Sequence, residues 1–405
     1  MLRRHDGAAA SARPAAAPFH QFLCKIHTTC NLACDYCYVY YQADQSWRRK
    51  PARMNEDVLA QLARRIREHA LEFSVPDVEL IMHGGEPMLA GAEFIRRFIS
   101  TLKSSLVDAS IVRFGMQSNG TRLTPELLEI IVEEQVAVGI SLDGDERAND
   151  WHRLDHAGRS SYATTVEAIE QLRARERLSG LLCTINLEAD PVATYQHLAQ
   201  FQPPIIDFTL PLGHHDAPPP GKRAAFDQTP YADWLIPIFD VWFAERPQQR
   251  RIRLFQDIIG LLLGGGSSVE TIGIGSVDIV VIETDGTLEG VDTLKIVEDG
   301  APQLDLNIFD HSFADALTHP MVKLRQMGLE ALCQTCQRCP VGSVCGGGYF
   351  PTRFSRQNGF RNPSIYCADY YQLIRHIREK VVAQARSAGV SLQAPDLPLS
   401  APAVT

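Results

Sequence analysis

Cys30-Asn-Leu-Ala-Cys34-Asp-Tyr36-Cys37 gathers three thiols within eight residues, directly after an apolar run from Phe22 to Ile26 that reads as a strand. Three thiolates in this C-x3-C-x2-C spacing can hold three irons of a 4Fe-4S cube, and the lack of a fourth nearby cysteine leaves one iron open to a small-molecule ligand. A small zinc site is the competing reading, although zinc takes four protein ligands and usually pairs of C-x2-C arms.

A second group follows far downstream: Cys336-Gln-Arg-Cys339, then Cys345 and Cys367, with Cys333 just before. Four thiolates can ligate a second cube completely, or a structural zinc ion. A fully ligated cube cannot bind substrate through iron without losing a ligand, which leaves electron transfer and structure as its roles. Cys333 is a spare thiol or a replacement ligand. Eight of the ten cysteines lie in these two groups, which is metal-ligand rather than disulfide usage and points to a reducing cytoplasm. Cys24 and Cys183 sit in apolar runs and read as buried core thiols.

Three further segments carry polar chemistry between the two groups. Gly84-Gly85-Glu86-Pro87 offers paired glycines, which let a backbone approach a ligand closely, beside a carboxylate able to accept from an ammonium group. Gln117-Ser118-Asn119-Gly120-Thr121 and Ser141-Leu142-Asp143-Gly144 place short hydroxyl, amide and carboxylate side chains at the ends of apolar runs, and Asn149 to Arg153 follows. For Asp143 and Arg153, a helix cap or a surface ion pair competes with ligand contact.

These segments need a scaffold, and the spacing predicts one. Strands are expected at 22–28, 78–83, 112–117, 136–142, 182–187 and 205–210, with helices at 56–73, 92–106, 125–134, 162–178, 194–201 and 231–244. Such alternation implies an α/β fold with right-handed crossovers and a parallel sheet, here six units of a partial (β/α)6 TIM barrel. Chemistry collects where such strands end, and the polar segments fall at those ends. Pro218-Pro219-Pro220-Gly221 and Gly264-Gly265-Gly266-Ser267-Ser268 are breaks, the second following an apolar helix over 252–263. Asp285-Gly286 between β-rich runs predicts a hairpin over 277–297, and a last helix is expected from about Asp369 to Arg386. The expected division is a flexible tail 1–17, a barrel 18–246, a bridging helix and hairpin 247–300, a cysteine-rich domain with the last helix 301–388, and a disordered tail 389–405.

At 405 residues and 45% hydrophobic, the chain can bury a large core. Asp and Glu total 48 against 39 Lys and Arg, a net charge of -9, so no global basic surface recommends nucleic acid or an anionic membrane. No run approaches the roughly 20 apolar residues of a membrane span.

The first cysteine motif and the Gly-Gly-Glu that follows it resemble the radical S-adenosylmethionine superfamily. That resemblance implies a cube held by Cys30, Cys34 and Cys37, with S-adenosylmethionine on the open iron and an electron from the cube splitting it to a deoxyadenosyl radical. It further implies cofactor contacts by Tyr36, Gly84, Gly85, Glu86, Ser118, Asn119, Ser141, Asp143 and Arg153, with Glu86 on the methionyl amine and Arg153 on the carboxylate. The second group resembles the SPASM domain. In that family the corresponding auxiliary 4Fe-4S cluster uses Cys336, Cys339, Cys345 and Cys367. Ligands for a further auxiliary cluster are lost, since the hairpin reads Gly290-Val291-Asp292 and the late position is Tyr349. The chain therefore resembles a radical SAM barrel with a C-terminal SPASM/twitch-like domain and two clusters in all.

Cys37-Tyr38-Val39-Tyr40, His83 to Pro87, His152 to Arg159, and Cys345 to Gly348 through Asn362 to Cys367 look together like the cyclophane-forming radical SAM/SPASM peptide maturases. Likeness to them implies a ribosomal precursor peptide as substrate, a β-carbon hydrogen removed, a carbon-carbon bond to an aromatic ring, and Asp292 as proton acceptor. An external electron donor such as flavodoxin or ferredoxin is implied as well. The peptide's leader is expected at the barrel mouth or the 277–297 hairpin, paired with a strand edge. Sulfatase-maturing and thioether-forming relatives share much of this pattern, as would a catalytically inactive peptide-binding scaffold.

Overall fold

The computed structural model describes residues 17–222, 228–245 and 250–390. The two expected tails lie almost entirely outside them. Six strands, β1 (Gln21–His27), β2 (Asp77–Gly84), β3 (Ile111–Ser118), β4 (Ala137–Ser141), β5 (Leu178–Thr184) and β6 (Ile205–Thr209), pair parallel in sequence order. The helices between them are α1 (Glu56–Glu72), α2 (Ala92–Leu106), α3 (Pro125–Glu133), α4 (Glu146–Asp150), α5 (Tyr162–Ala174) and α6 (Pro191–Gln200).

Local chemistry sets these boundaries. The Asn55 side chain accepts from the Val58 amide to start α1, and Thr124-Pro125 and Asp190-Pro191 start α3 and α6 the same way, each with proline in the first turn. Helix α1 buries Val58, Leu59, Leu62, Ala63 and Ile66, one stripe at helical spacing, against the sheet. Truncating Leu62 to Ala would cost about 2–5 kcal/mol. Along β2 burial alternates, so Val78, Leu80 and Met82 face the core while Glu79, Ile81 and His83 face the other way.

Two expectations are corrected. The helix expected over 162–178 ends at Ala174 because Glu176 turns left-handed at φ 57°, and β5 runs over 178–184 rather than 182–187. Ser179 and Gly180 hid its start. Gly180 is needed there, since a Cβ would stand 2.9 Å from the Ile205 carbonyl oxygen of the adjacent strand.

Beyond β6 the chain adds α7 (Pro230–Ala244), β7 (Arg251–Ile252) parallel to β6, and α8 (Arg253–Leu262). The expected hairpin forms as β8 (Ile279–Ile282) and β9 (Thr287–Glu289), antiparallel across Asp285-Gly286, with β10 (Gln303–Asn307) beyond. Sequence reading did not foresee its place. Strand β8 pairs parallel with β1, so one ten-stranded sheet runs β10-β9-β8-β1-β2-β3-β4-β5-β6-β7. The hairpin thus stands beside the first cysteine motif. A helix over Cys367–Ser387 packs on α7 and α8. Among the described residues no helix is long and apolar enough to cross a membrane.

Candidate active site and second cysteine site

The strand ends converge on a cavity of about 610 Å³, a size suited to a cofactor. Cys30, Cys34 and Cys37, carried on the loop after β1, line it together with Tyr36, Gly84, Gly85, Glu86, Ser118, Asn119, Ser141 and Arg153. The Cys30 sulfur accepts from the Leu32 amide at 3.4 Å and from Asn119 Nδ2 at 3.6 Å. Burial, reinforced by Glu86, pushes the Cys30 thiol up to about 12, and burial pushes Cys34 up to about 11. Iron binding must therefore displace protons from these thiols.

Gly84 and Gly85 leave no room for a side chain. A Cβ on Gly84, at φ 147°, would fall 2.0 Å from the His27 carbonyl oxygen, and one on Gly85 2.1 Å from Tyr40 Oη and 2.3 Å from the Thr29 carbonyl oxygen. The pair thus fastens the end of β2 to the cysteine loop. Glu86 is 1% exposed and accepts from Ser118 Oγ at 2.7 Å, the Asn119 amide at 2.8 Å and the Met88 amide at 3.0 Å. Burial raises its pKa against those three bonds. A carboxylate so held, in a cavity, is ready to accept from a cationic ligand.

Arg153 and Asp143 are joined through Tyr36, whose hydroxyl donates to Asp143 Oδ2 at 2.5 Å and accepts from Arg153 Nη1 at 2.8 Å. Asp143 Oδ1 accepts from the Thr184 amide at 2.8 Å, so this carboxylate braces the Cys loop against β5. It is neither a helix cap nor a surface ion pair; the cap of α4 is Asp145. Arg153 Nε is buried with no hydrogen-bond partner, an unsatisfied donor beside the cavity.

Asp292, just beyond β9, precedes the cavity-lining Thr293. Its Oδ2 accepts from Tyr38 Oη at 2.6 Å and stands 3.5 Å from Lys25 Nζ. Burial alone would raise its pKa, but Lys25 and then His83 and Tyr38 hold it below the usual carboxylate range. Lys25 also meets Glu283 at 2.9 Å and Glu289 at 3.4 Å, and Lys295 meets Glu289 at 2.6 Å, Glu283 at 3.3 Å and Asp44 at 3.5 Å. Sequence reading missed this network. Its one signal was a lysine inside the apolar run Phe22-Leu23-Cys24-Lys25-Ile26.

In the second site Cys336, Cys339, Cys345 and Cys367 line one small cavity. Short helical turns over Gln334–Gln337 and Gly342–Cys345 present Cys336 and Cys345, Cys339 lies between the two turns, and Cys367 opens the last helix. Cys333 bonds to Cys336 through its side chain, which lowers the Cys333 thiol to about 6. Among the described residues no three His, Cys, Asp or Glu are gathered for a single metal ion. Val291 packs with Leu294 and Phe350 in a separate apolar cluster flanked by Tyr349. Beside it, Arg325 pairs with Glu270 at 2.7 Å and donates to the Gly290 carbonyl at 2.6 Å.

The radical SAM superfamily pattern matches residues 24–193, the stretch holding the first cysteine motif and the strand-end segments. A serine-type anaerobic sulfatase-maturating enzyme of Klebsiella aerogenes is 27% identical over 93% of this chain and 89% of its own length. A cysteine-type enzyme of Clostridium novyi is 24% identical over 85% and 91%. Among solved structures, anSMEcpe with bound AdoMet superposes at a TM-score of 0.77 over 92% of this chain and all of its own, at 21% identity. Streptococcus suis SuiB bound to precursor peptide SuiA reaches 0.58 over 86% and 76%, at 12% identity. With the barrel, the three-cysteine cavity and this match in agreement, residues 24–193 carry the radical SAM pattern and the chain is an enzyme that uses S-adenosylmethionine and a 4Fe-4S cluster.

Proposed function

We propose that this enzyme is a peptide maturase that removes a hydrogen atom from the β-carbon of a peptide side chain. Supporting this is one arrangement: the three-cysteine loop and the Gly84-Gly85-Glu86 cradle line one cavity roomy enough for cofactor and side chain together, and the buried Asp292 bonds to Tyr38 in its wall. Cys30, Cys34 and Cys37 hold the cluster. Tyr36, Gly84, Gly85, Glu86, Ser118, Asn119, Ser141 and Arg153 seat S-adenosylmethionine, Glu86 receiving its ammonium and the free Arg153 Nε its carboxylate, while Asp143 fixes Tyr36. Bound there, the cofactors supply the radical that takes the hydrogen atom. Asp292 is ionised and takes the proton the oxidised substrate must lose. Cys336, Cys339, Cys345 and Cys367 would hold an auxiliary cluster, which would supply an acceptor for the substrate's electron.

The carbon radical then attacks an aromatic ring to form a cyclophane crosslink in a ribosomal precursor peptide. The maturase-like phrases of the sequence and the loss of further auxiliary ligands at Val291 and Tyr349 support this fate. The curated relatives, named as serine-type and cysteine-type sulfatase-maturating enzymes, favour a second fate, in which a serine or cysteine side chain is oxidised without a crosslink.

One experiment separates them. A candidate peptide is incubated without oxygen with reduced, iron-loaded enzyme and S-adenosylmethionine, and its mass and fragmentation are read. Loss of two hydrogens with fragmentation blocked beside an aromatic residue supports the crosslink. Full fragmentation with a carbonyl-reactive group supports side-chain oxidation, after loss of two hydrogens at a serine or, at a cysteine, loss of two hydrogens and hydrolysis that exchanges sulfur for oxygen. No deoxyadenosine under any loading would overturn both.

A further inference from the structure

Behind Asp292 lie more buried carboxylates than cations to match them. Asp44, Glu283, Glu289 and Asp292 surround Lys25 and Lys295, and all six side chains are 0–8% exposed. Full ionisation would bury an excess of two negative charges, which a low-dielectric interior resists by taking up protons. Asp44 is satisfied by Ser46 Oγ at 2.7 Å and the Gly300 amide at 2.8 Å, and Asp292 by Tyr38. Glu283 sits between both lysines. Glu289 meets both lysines as well, so the Glu283–Glu289 pair together is the place left for a further proton.

We propose that Lys25 passes the proton taken by Asp292 to Glu289, making the Glu283–Glu289 pair the proton sink of the reaction. This inference rests on Asp292 being the base. The contacts supply the path, because Lys25 Nζ stands 3.5 Å from Asp292 and 3.4 Å from Glu289 and touches both. The substrate's bond to hydrogen breaks and leaves its electron pair in the product, while an oxidised iron–sulfur cluster takes the radical's electron. The proton forms an O–H bond on Asp292. Lys25 then gives one N–H proton to Glu289 and regains one from Asp292, so its own charge is unchanged.

Electrostatics agree with the direction of flow. Asp292 is held below the usual carboxylate range by Lys25 despite its burial, so alone it returns a proton readily. Burial pushes Glu289 above the usual carboxylate range, while the two lysines hold its partner Glu283 low. The other polar groups turned toward Asp292 are His83 on β2, Tyr38 after the cysteine loop, and Tyr349 and Arg325 on the far side. His83 Nδ1 is buried without a partner, and burial keeps that ring neutral.

The test reads the proton first, without cofactor. Infrared spectra of the intact chain, titrated downward from alkaline pH where the pair is ionised and able to accept, should gain a protonated-carboxyl band that Glu289→Gln removes; persistence of the band in the variant overturns the proposal. During turnover, Glu289→Gln should form deoxyadenosine at the unaltered rate while peptide product falls roughly tenfold, less than loss of a direct general base. A parallel fall of both would mean a structural role only and would overturn it. Lys25→Arg guards against misfolding: guanidinium keeps the ion pairs but does not give up a proton, so the same uncoupling is expected with thermal stability retained. Normal coupling in Lys25→Arg counts against the relay. Full product from Asp292→Asn would instead overturn the base reading on which it rests.

Discussion

A methyl group on Gly85 would collide with backbone as well as with a side chain, since the Thr29 carbonyl cannot swing away from a Cβ 2.3 Å distant without moving the loop that carries Cys30. Gly85→Ala should therefore lower iron retained at the first site several-fold with little loss of barrel helicity, read by iron assay and circular dichroism. An unchanged iron content would mean that the loop adapts. Asp292 makes a different prediction at the same scale. Its Asn replacement keeps the Tyr38 bond but cannot take a proton, so S-adenosylmethionine cleavage should continue while peptide product falls at least a hundredfold. Deoxyadenosine and product quantified together check it, and a proportional fall in both would place Asp292 in cofactor binding instead. Much of this was legible, because the cysteine spacing and the paired glycines constrain chemistry locally. Asp143 was only half legible: its residue type allowed a ligand contact, but its bonds to Tyr36 and Thr184 depend on three separate strand ends meeting.

At the scale of elements, α1 is pinned to the start of β1 by His69. Its Nε2 is 3.0 Å from the Phe19 amide, and its ring packs among Phe19, Phe22, Phe73 and Phe313 with Nδ1 buried and unbonded. Burial lowers this imidazole to about 4. The unfolded chain takes up that proton near pH ~6.5 and the folded chain only near its lowered value, so the unfolded state binds more protons in between and stability falls as pH falls through that window. The loss should reach at most about 3 kcal/mol, at about 1.4 kcal/mol per pH unit. His69→Gln, which keeps an acceptor for Phe19, should flatten that part of the profile; urea midpoints between pH 7 and 4 check it, and an unchanged slope would put the titration elsewhere. Helix α1 itself was readable to within one residue, because a cap, a stripe and a stop all lie inside it. The pairing of β8 with β1 was not, because nothing in Ile279–Ile282 names a partner some 250 residues upstream. Long-range pairing is decided by the packing of the whole sheet, and it is what brings Asp292 and the buried lysine network to the cysteine loop.

Across the whole molecule the two cysteine sites are mechanically joined. The strap between α8 and β8 lines the main cavity at Ile272 and Gly273, and the Gly273 amide donates to the Val344 carbonyl at 2.9 Å, beside Cys345. Gly346, at φ 63°, lies so close that a Cβ there would overlap the Gly273 carbonyl oxygen. The second site therefore shapes one wall of the main cavity. Replacing Cys345 and Cys367 together by Ser separates its role from the first site's. If both sites hold cubes, iron should fall from about eight to about four per chain, since each cube carries four. S-adenosylmethionine cleavage with a chemical reductant should persist, because Cys30, Cys34 and Cys37 stand on different elements, while peptide product should fall sharply. Iron that stays near eight would mean the second cluster has other ligands, with Cys333 beside Cys336 the nearest substitute. Iron already near four in the unaltered chain would mean that only one site holds a cube, and the electron would then have to leave the substrate by a route outside this cysteine group.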